Sequence, residues 1–302
     1  MTIKNNTHDH HHHEENCTHD HHHHGEGCNH EHHHHGEGCT HDHHHDDPSK
    51  YTRHLYSQSE TLSFKNMDMD NLIESVNRLL EQEEFGKSVP ILETLKDKLQ
   101  NLVDTGNQSE EILRNLTETN HNLALSYGII GEHNNSLPLW KSVIEKLIVD
   151  SEIDEILEAH YNAALSAEQA RDLNEFIAYL NNGLEVAKAN NAELWEATFE
   201  HELGVYAFDN QDYTTATTKF NRAIELSTKL DDLEGLVSSN FYLGHTFENQ
   251  NNYAKAKELY EKALNIAKHE DIRDEVTHER ALVEERLSII NKTQLQKKLQ
   301  DF

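Results

Sequence analysis

Two stretches of twenty-five residues constrain this chain more than any other feature, because they read as one unit written twice. "ELGVYAFDNQDYTTATTKFNRAIEL" starts at Glu202 and "YLGHTFENQNNYAKAKELYEKALNI" at Tyr242, a spacing of forty. Leu203-Gly204 matches Leu243-Gly244, Tyr213 matches Tyr253, Ala216 matches Ala256, Phe220 matches Tyr260, and Ala223-Ile224 matches Ala263-Leu264. A fixed period of this size marks a repeat architecture, in which each unit buries its apolar face only by stacking on its neighbours. Apolar residues recur at helical spacing, as in Leu72, Val76, Leu79 and Leu80, and no stretch alternates as a strand would. Each unit therefore reads as two antiparallel helices. Gly204, Ala216 and Ala223 are small enough to let them approach, and aromatic side chains fill the gaps.

Weaker copies precede these two. One runs from Ala163-Ala164 through Leu173, Phe176, Leu180 and Gly183-Leu184, another from Leu123-Ala124 through Tyr127, Gly131, Trp140 and Val143-Ile144. A fifth begins near Met69 and continues through Val76, Leu79, Phe85, Leu92 and Leu95, with an insertion near "DTGNQSEE". Pro90 and Pro138 fall at one repeat position, early in the second helix, and Ser88 and Ser136 stand at the small-residue place of Ala216 and Ala256, as expected N-caps.

Over about residues 69–270 this pattern resembles the tetratricopeptide repeat family. A Leu-Gly pair sits in the first helix, an aromatic follows the turn, and Ala, aromatic and Ala follow in the second helix. The family's usual proline at the repeat end is absent, and a period of forty points to its long-period branch. The resemblance implies an all-α, right-handed α-solenoid of antiparallel helix pairs. The expected organisation is a disordered His-rich tail over 1–50, a linker or extra helix over 51–68, about five helix pairs over 69–272, and a C-terminal capping helix over 273–302.

The resemblance also implies a binding site. First helices of such solenoids line a concave groove that receives a peptide or helix of another protein. Long-period relatives place Asn just before the Leu-Gly pair to hydrogen-bond an extended peptide. Asn122 and Asn162 match that position, while Glu202 and Tyr242 replace it later. One residue earlier stand His121, Tyr161, His201 and Phe241, and His245 should face the same groove. Each also suits an ordinary helix face. The branch that grips a terminal carboxylate needs basic groove positions, and none is found. His121, His201 and His245 lie in different repeats, too far apart for shared metal ligation.

The formal net charge of −29 argues against general phosphate-backbone binding and disfavours anionic membranes. No stretch is apolar enough for a membrane span, and the first residues lack the apolar core of a secretory signal. All three cysteines lie before residue 40, which is not how a stapled secreted domain distributes them. A cytoplasmic protein is expected. No phosphate-binding glycine loop, no His-Glu-x-x-His and no body cysteine marks a catalytic centre, so the chain reads as a non-enzyme.

The amino-terminal region is a second repeat, of eleven residues. Its four units begin at Asn6, Cys17, Cys28 and Cys39. They carry His8, His10, His11, His12 and His13; Cys17, His19, His21, His22, His23 and His24; Cys28, His30, His32, His33, His34 and His35; and Cys39, His41, His43, His44 and His45. One carboxylate sits between histidines in every unit. Imidazole and thiolate favour Zn²⁺, and imidazole also suits Ni²⁺, Co²⁺ and Cu²⁺. The wide cysteine spacing predicts several adjustable sites rather than one rigid cage. With nothing to bury, the tail is expected to be disordered without metal, and protonation of nineteen histidines would move residues 1–47 from −9 toward +10. No cofactor is required on this reading. Two functions follow: a protein–protein scaffold or adaptor with a metal-binding tail, or a metal buffer or delivery protein whose repeats recognise the recipient.

Overall fold

A computed structural model describes residues 48–150 and 152–300. The tail positions from His8 to His45 lie outside the described residues. A 3₁₀ turn over Pro48–Tyr51 and an extended segment lead into α1 (Gln58–Asn66). The helices α2 (Met69–Glu81), α3 (Phe85–Asp104), α4 (Glu110–Ile129), α5 (His133–Asp150) and α6 (Ile153–Gln169) follow. Then come α7 (Leu173–Asn190), α8 (Glu193–Asp209), α9 (Tyr213–Leu230), α10 (Leu233–Asn249), α11 (Tyr253–Ile266) and α12 (Thr277–Gln300). Among the described residues there is no strand. Each helix from α2 onward packs on the next in sequence, so the fold is an all-α solenoid of antiparallel pairs: α2–α3, α4–α5, α6–α7, α8–α9 and α10–α11.

The turn inside each pair explains why the chain reverses so tightly. In the α6–α7 turn, Arg171 takes a left-handed φ of 61°, Asp172 N–H donates to Ala167 O (2.8 Å), and Asp172 Oδ1 accepts from Glu175 N–H (3.1 Å). One residue thus closes the first helix and caps the second, satisfying backbone groups at both ends. Gln211 (φ 60°) with Asp212, and Asn251 (φ 61°) with Asn252, repeat the arrangement. Glu83 and Gly131 hold the left-handed position in the first two pairs.

Small residues set the packing distance. A Cβ on Gly204 would meet the Phe220 ring at 2.7 Å, and one on Gly244 would meet Tyr260 at 2.8 Å, so each aromatic of the second helix lies against bare backbone of the first. Ala216, Ala223, Ala256 and Ala263 are buried beside them. At the far end, Val283, Leu287 and Ile290 of α12 cover Phe241, Tyr260 and Ala263.

Ser88 and Ser136 are not N-caps. Each is the fourth residue of its helix and fully buried. Ser88 Oγ donates to Phe85 O (2.9 Å) and lies 3.2 Å from Ser126 Oγ; Ser136 Oγ donates to Ala124 O (2.7 Å) and lies 3.1 Å from Ser166 Oγ. They occupy the small-residue position, where the Ser136 hydroxyl bonds the neighbouring helix and the Ser88 hydroxyl bonds its own first turn while also meeting Ser126. Pro90 and Pro138 are the sixth residues of α3 and α5, past the first turn, so each removes one helical hydrogen bond. For Pro90 the released acceptor, Gly86 O, receives His54 N–H instead (2.8 Å).

That bond belongs to a strap over residues 52–57. Arg53 makes two-pronged ion pairs with Glu93 (3.0 Å) and Glu132 (2.8 Å) and lies 5.6 Å from the Tyr127 ring centre. Tyr127 Oη in turn donates to Glu93 Oε1 (2.5 Å), and Tyr56 Oη donates to Lys87 O (3.2 Å). The strap therefore joins the first two helix pairs through charge-assisted bonds.

Candidate functional site

Asn122, Asn162, Glu202 and Tyr242 stand at one repeat position of the first helices α4, α6, α8 and α10, and all are half-buried. The residues one step earlier turn away from this row, into the contacts between helices. His121 lies 5.2 Å from the Trp140 ring, and burial lowers its pKa. His201 packs against Phe220 (5.6 Å) and Tyr242 (5.5 Å), places Nδ1 3.0 Å from Ser239 Oγ, and is lowered to about 4 by burial. Phe241 is buried against Tyr260. Tyr161 lies 6.1 Å from Trp195 but reaches back to the row, donating from Oη to Glu202 Oε1 (3.2 Å). His245 sits 4.8 Å from Phe208. The six expected groove residues thus fall into two sets: Asn122 and Asn162 in the row, and His121, Tyr161, His201 and His245 in or beside the aromatic seams.

Burial and the charge of Glu168 push Glu202 up to about 7, and the Tyr161 hydrogen bond only partly opposes this. Tyr242 is raised to about 12 by burial and then by the charges of Glu202, Asp209, Glu168 and Glu279. Tyr161 of α6 thus bonds to Glu202 of α8, and the charges of Glu202, Asp209 and Glu168 act on Tyr242 of α10.

Charge is partitioned along the same line. Helices α6, α8 and α10 hold eleven Asp and Glu and no Lys or Arg. The local cations stand on the second helices, where they reach back to carboxylates of α8 away from the row. Arg222 pairs with Glu196 (2.9 Å), and Lys188 and Lys219 pair with Glu200 (2.7 and 2.8 Å). Burial alone would raise Glu200, but the two ammonium groups hold it below the ordinary carboxylate value. No local motif marks the concentration of carboxylates at Glu168, Glu202 and Asp209; its one sequence signal is the absence of Lys and Arg from three whole helices. Among the described residues, no three His, Cys, Asp or Glu side chains come together to hold a metal.

Comparison with known proteins agrees with this architecture. The family model described as tetratricopeptide repeat matches residues 195–269, covering α8 to α11. The cell division cycle protein 16 homologs of Homo sapiens and Mus musculus are each 28% identical to the chain over 146 residues, 42% of this chain and 22% of theirs. The chain thus spans about a fifth of the length of the curated relatives it matches. The crystal structure of aspartyl phosphate phosphatase F from Bacillus subtilis superposes with a TM-score of 0.52 at 15% identity, over 80% of this chain and 63% of that one. At that identity the likeness concerns the fold alone.

Proposed function

We propose that this chain is a cytoplasmic, non-enzymatic scaffold or adaptor that holds an extended peptide or helix of another protein along its first-helix face. The row Asn122, Asn162, Glu202 and Tyr242 carries the reading: partly exposed polar and aromatic groups recur at one position in the first helices of four successive pairs. Side-chain amides at such a spacing suit the backbone of an extended partner, and the flanking Leu125, Leu165 and Val205 offer apolar contact. The tetratricopeptide-repeat match over residues 195–269 supports the same reading, and the spacing of forty in the sequence is what favours the long-period branch. Among the described residues no helix is long and apolar enough to cross a membrane.

The test is affinity capture followed by mass spectrometry. Three baits are compared with and without chelator: the full chain, the chain from Ser49 onward, and an Asn122→Ala/Asn162→Ala double variant. The expected result is one set of proteins held by the first two baits and lost with the third. Capture that follows residues 1–47 and survives the double substitution would reject the scaffold.

The nineteen histidines and three cysteines before residue 47 favour a second reading, a Zn, Ni, Co or Cu buffer or delivery protein whose repeats recognise the recipient. Metal occupancy at physiological free zinc and nickel decides it. A tail that stays empty there ends the delivery reading and leaves the scaffold intact.

A further inference from the structure

The two helix layers of the array differ in charge. The first helices α4, α6, α8 and α10 hold fourteen Asp and Glu against one basic residue, Arg114. The second helices α5, α7, α9 and α11 hold nine Lys and Arg against seven Asp and Glu. Second-helix cations serve the buried Glu196 and Glu200 of α8. On the exposed side of α4 and α6 one triplet is written twice. Glu118, Asn122 and Leu125 of α4 match Glu158, Asn162 and Leu165 of α6 at the spacing of forty. Offsets of four and seven residues return to one side of a helix, so each helix presents a carboxylate, an amide and an aliphatic side chain in line. Glu118 and Glu158 are exposed, and the other four are half-buried. Among the described residues, neither the two carboxylates nor the two amides has a hydrogen bond or ion pair, and Arg114, one turn before Glu118, forms none either. Helix α4 lies beside α6, so the two triplets are neighbours.

We propose that this two-helix stripe docks an extended segment in which Lys or Arg alternates with aliphatic residues. The inference rests on the reading of the first-helix face as a partner groove and gives that partner a chemistry. Successive side chains of a strand point to opposite sides. A strand laid across α4 and α6 along Asn122 and Asn162 therefore sends one set of side chains toward Glu118 and Glu158 and the other toward Leu125 and Leu165. The amides meet its backbone, each offering donors and an acceptor. Seven residues of helix put carboxylate and leucine about 10 Å apart, a gap that side chains on the two edges of one strand span. An acidic strand meets repulsion at the same place, and a neutral one leaves the carboxylates without partners.

The field and the extent of the stripe agree. Glu155, exposed and one turn before Glu158, adds a third carboxylate. The charges of Glu158, Glu155 and Glu118 all oppose the burial that lowers the His121 pKa. Farther along, the same three positions hold Thr198, Glu202 and Val205 in α8 and Ser238, Tyr242 and His245 in α10. The repeated triplet thus confines the docking place to the step from α4 to α6. Exposed ion pairs are individually weak and screened by salt, so specificity comes from the alternation of charge and apolar contact rather than from charge alone.

The experiment uses the full chain and four fluorescein-labelled octapeptides, titrated by fluorescence anisotropy at physiological salt. They are alternating Lys-Val, the same composition as a Lys block followed by a Val block, alternating Lys-Ser, and alternating Glu-Val. Wild type is compared with Glu118→Lys/Glu158→Lys and with Glu145→Lys/Glu185→Lys, which makes an equal charge change at exposed positions of α5 and α7. Helical content and the thermal midpoint establish that each variant is folded. Alternating Lys-Val should bind wild type more tightly than the block or the Lys-Ser peptide, and Glu-Val should not bind. Glu118→Lys/Glu158→Lys should weaken Lys-Val at least about tenfold, through two lost ion pairs and two new repulsions, and should gain affinity for Glu-Val. Glu145→Lys/Glu185→Lys should leave the Lys-Val affinity nearly unchanged. Equal affinity for the alternating and block peptides overturns the proposal, and this comparison needs no variant. An unchanged Lys-Val affinity in Glu118→Lys/Glu158→Lys overturns it too, as does an equal loss in both variants. Sedimentation completes the test: a dimer dissolved by Glu118→Lys/Glu158→Lys assigns the stripe to a second copy and overturns the proposal, whereas a monomer agrees with it. If the proposal falls while Asn122→Ala/Asn162→Ala still abolishes partner capture, the groove reading stands without its basic partner. Binding of Lys-Val that depends on Glu118 and Glu158, with capture indifferent to the Asn variants, keeps the docking stripe and removes the groove reading.

Discussion

His160 and His201 are held as neutral imidazoles, each lowered by burial from 6.5 to about 4. Between those values the unfolded chain takes up protons that the fold refuses, so stability falls as the pH drops from 6.5 toward 4. Glu202 acts in the opposite sense: its folded value near 7 lies above its ordinary 4.5, so the fold gains stability as pH falls through that window. Two histidines against one carboxylate leave a net acid loss. His201→Gln should therefore flatten the decline of the urea midpoint between pH 6.5 and 4, and an unchanged slope would remove His201 from this account. A second residue-scale expectation concerns Gln211, a side-chain-bearing residue at φ 60°. Gln211→Gly relieves a left-handed cost of about 1–2 kcal/mol while adding unfolded-state entropy, for a net gain of roughly 0.5 kcal/mol in chemical unfolding. Sequence reading locates the apolar and small residues correctly, since Gly204, Ala216 and Ala223 follow from packing alone. It puts Ser88 and Ser136 at the small-residue position but gives them the wrong role, because a hydroxyl can cap a helix terminus or meet an adjacent helix, and only the three-dimensional neighbours Ser126 and Ser166 decide between them.

At the scale of helices, the closest approach in the last two pairs is glycine against an aromatic ring. Gly204→Ala would put its methyl carbon within 2.7 Å of Phe220, itself fully buried, so neither side can yield easily. The expected cost is about 1–3 kcal/mol, read as a lower urea midpoint, and a neutral result would mean that the α8–α9 spacing is not set there. The pairs themselves are legible because the apolar period and the repeated Leu-Gly and Ala positions both specify the same two helices. Buried ion pairs are not. Glu196 and Glu200 look like any surface carboxylates in a chain with 55 of them, yet they are 6% and 4% exposed and tie α8 to α7 and α9. The strap is equally hidden. Arg53 finds its partners forty and seventy-nine residues away, and no local pattern announces such contacts.

For the whole array, the described helices lean on their neighbours in sequence, so stability is a sum of nearly local terms. Removing residues after Ala267 uncovers Phe241, Tyr260 and Ala263, which α12 now buries. Amide exchange should then quicken in α10 and α11 while α2 to α7 keep their protection; uniform loss would mean that the array melts as one unit. Nearest-neighbour contacts also make this a chain of low contact order, and such chains collapse quickly because few long loops must close. Among the described residues, the link between Arg53 and Glu132 is an exception, spanning seventy-nine residues. It can lock only after α2 to α5 have assembled, and so it belongs to the late, downhill side of the folding barrier. Arg53→Ala should leave the refolding rate nearly unchanged and accelerate unfolding of the first two pairs, as stopped-flow mixing can measure. In kinetic terms the strap is a latch: it hardly affects how fast the array forms, and it governs how long the first two pairs stay shut.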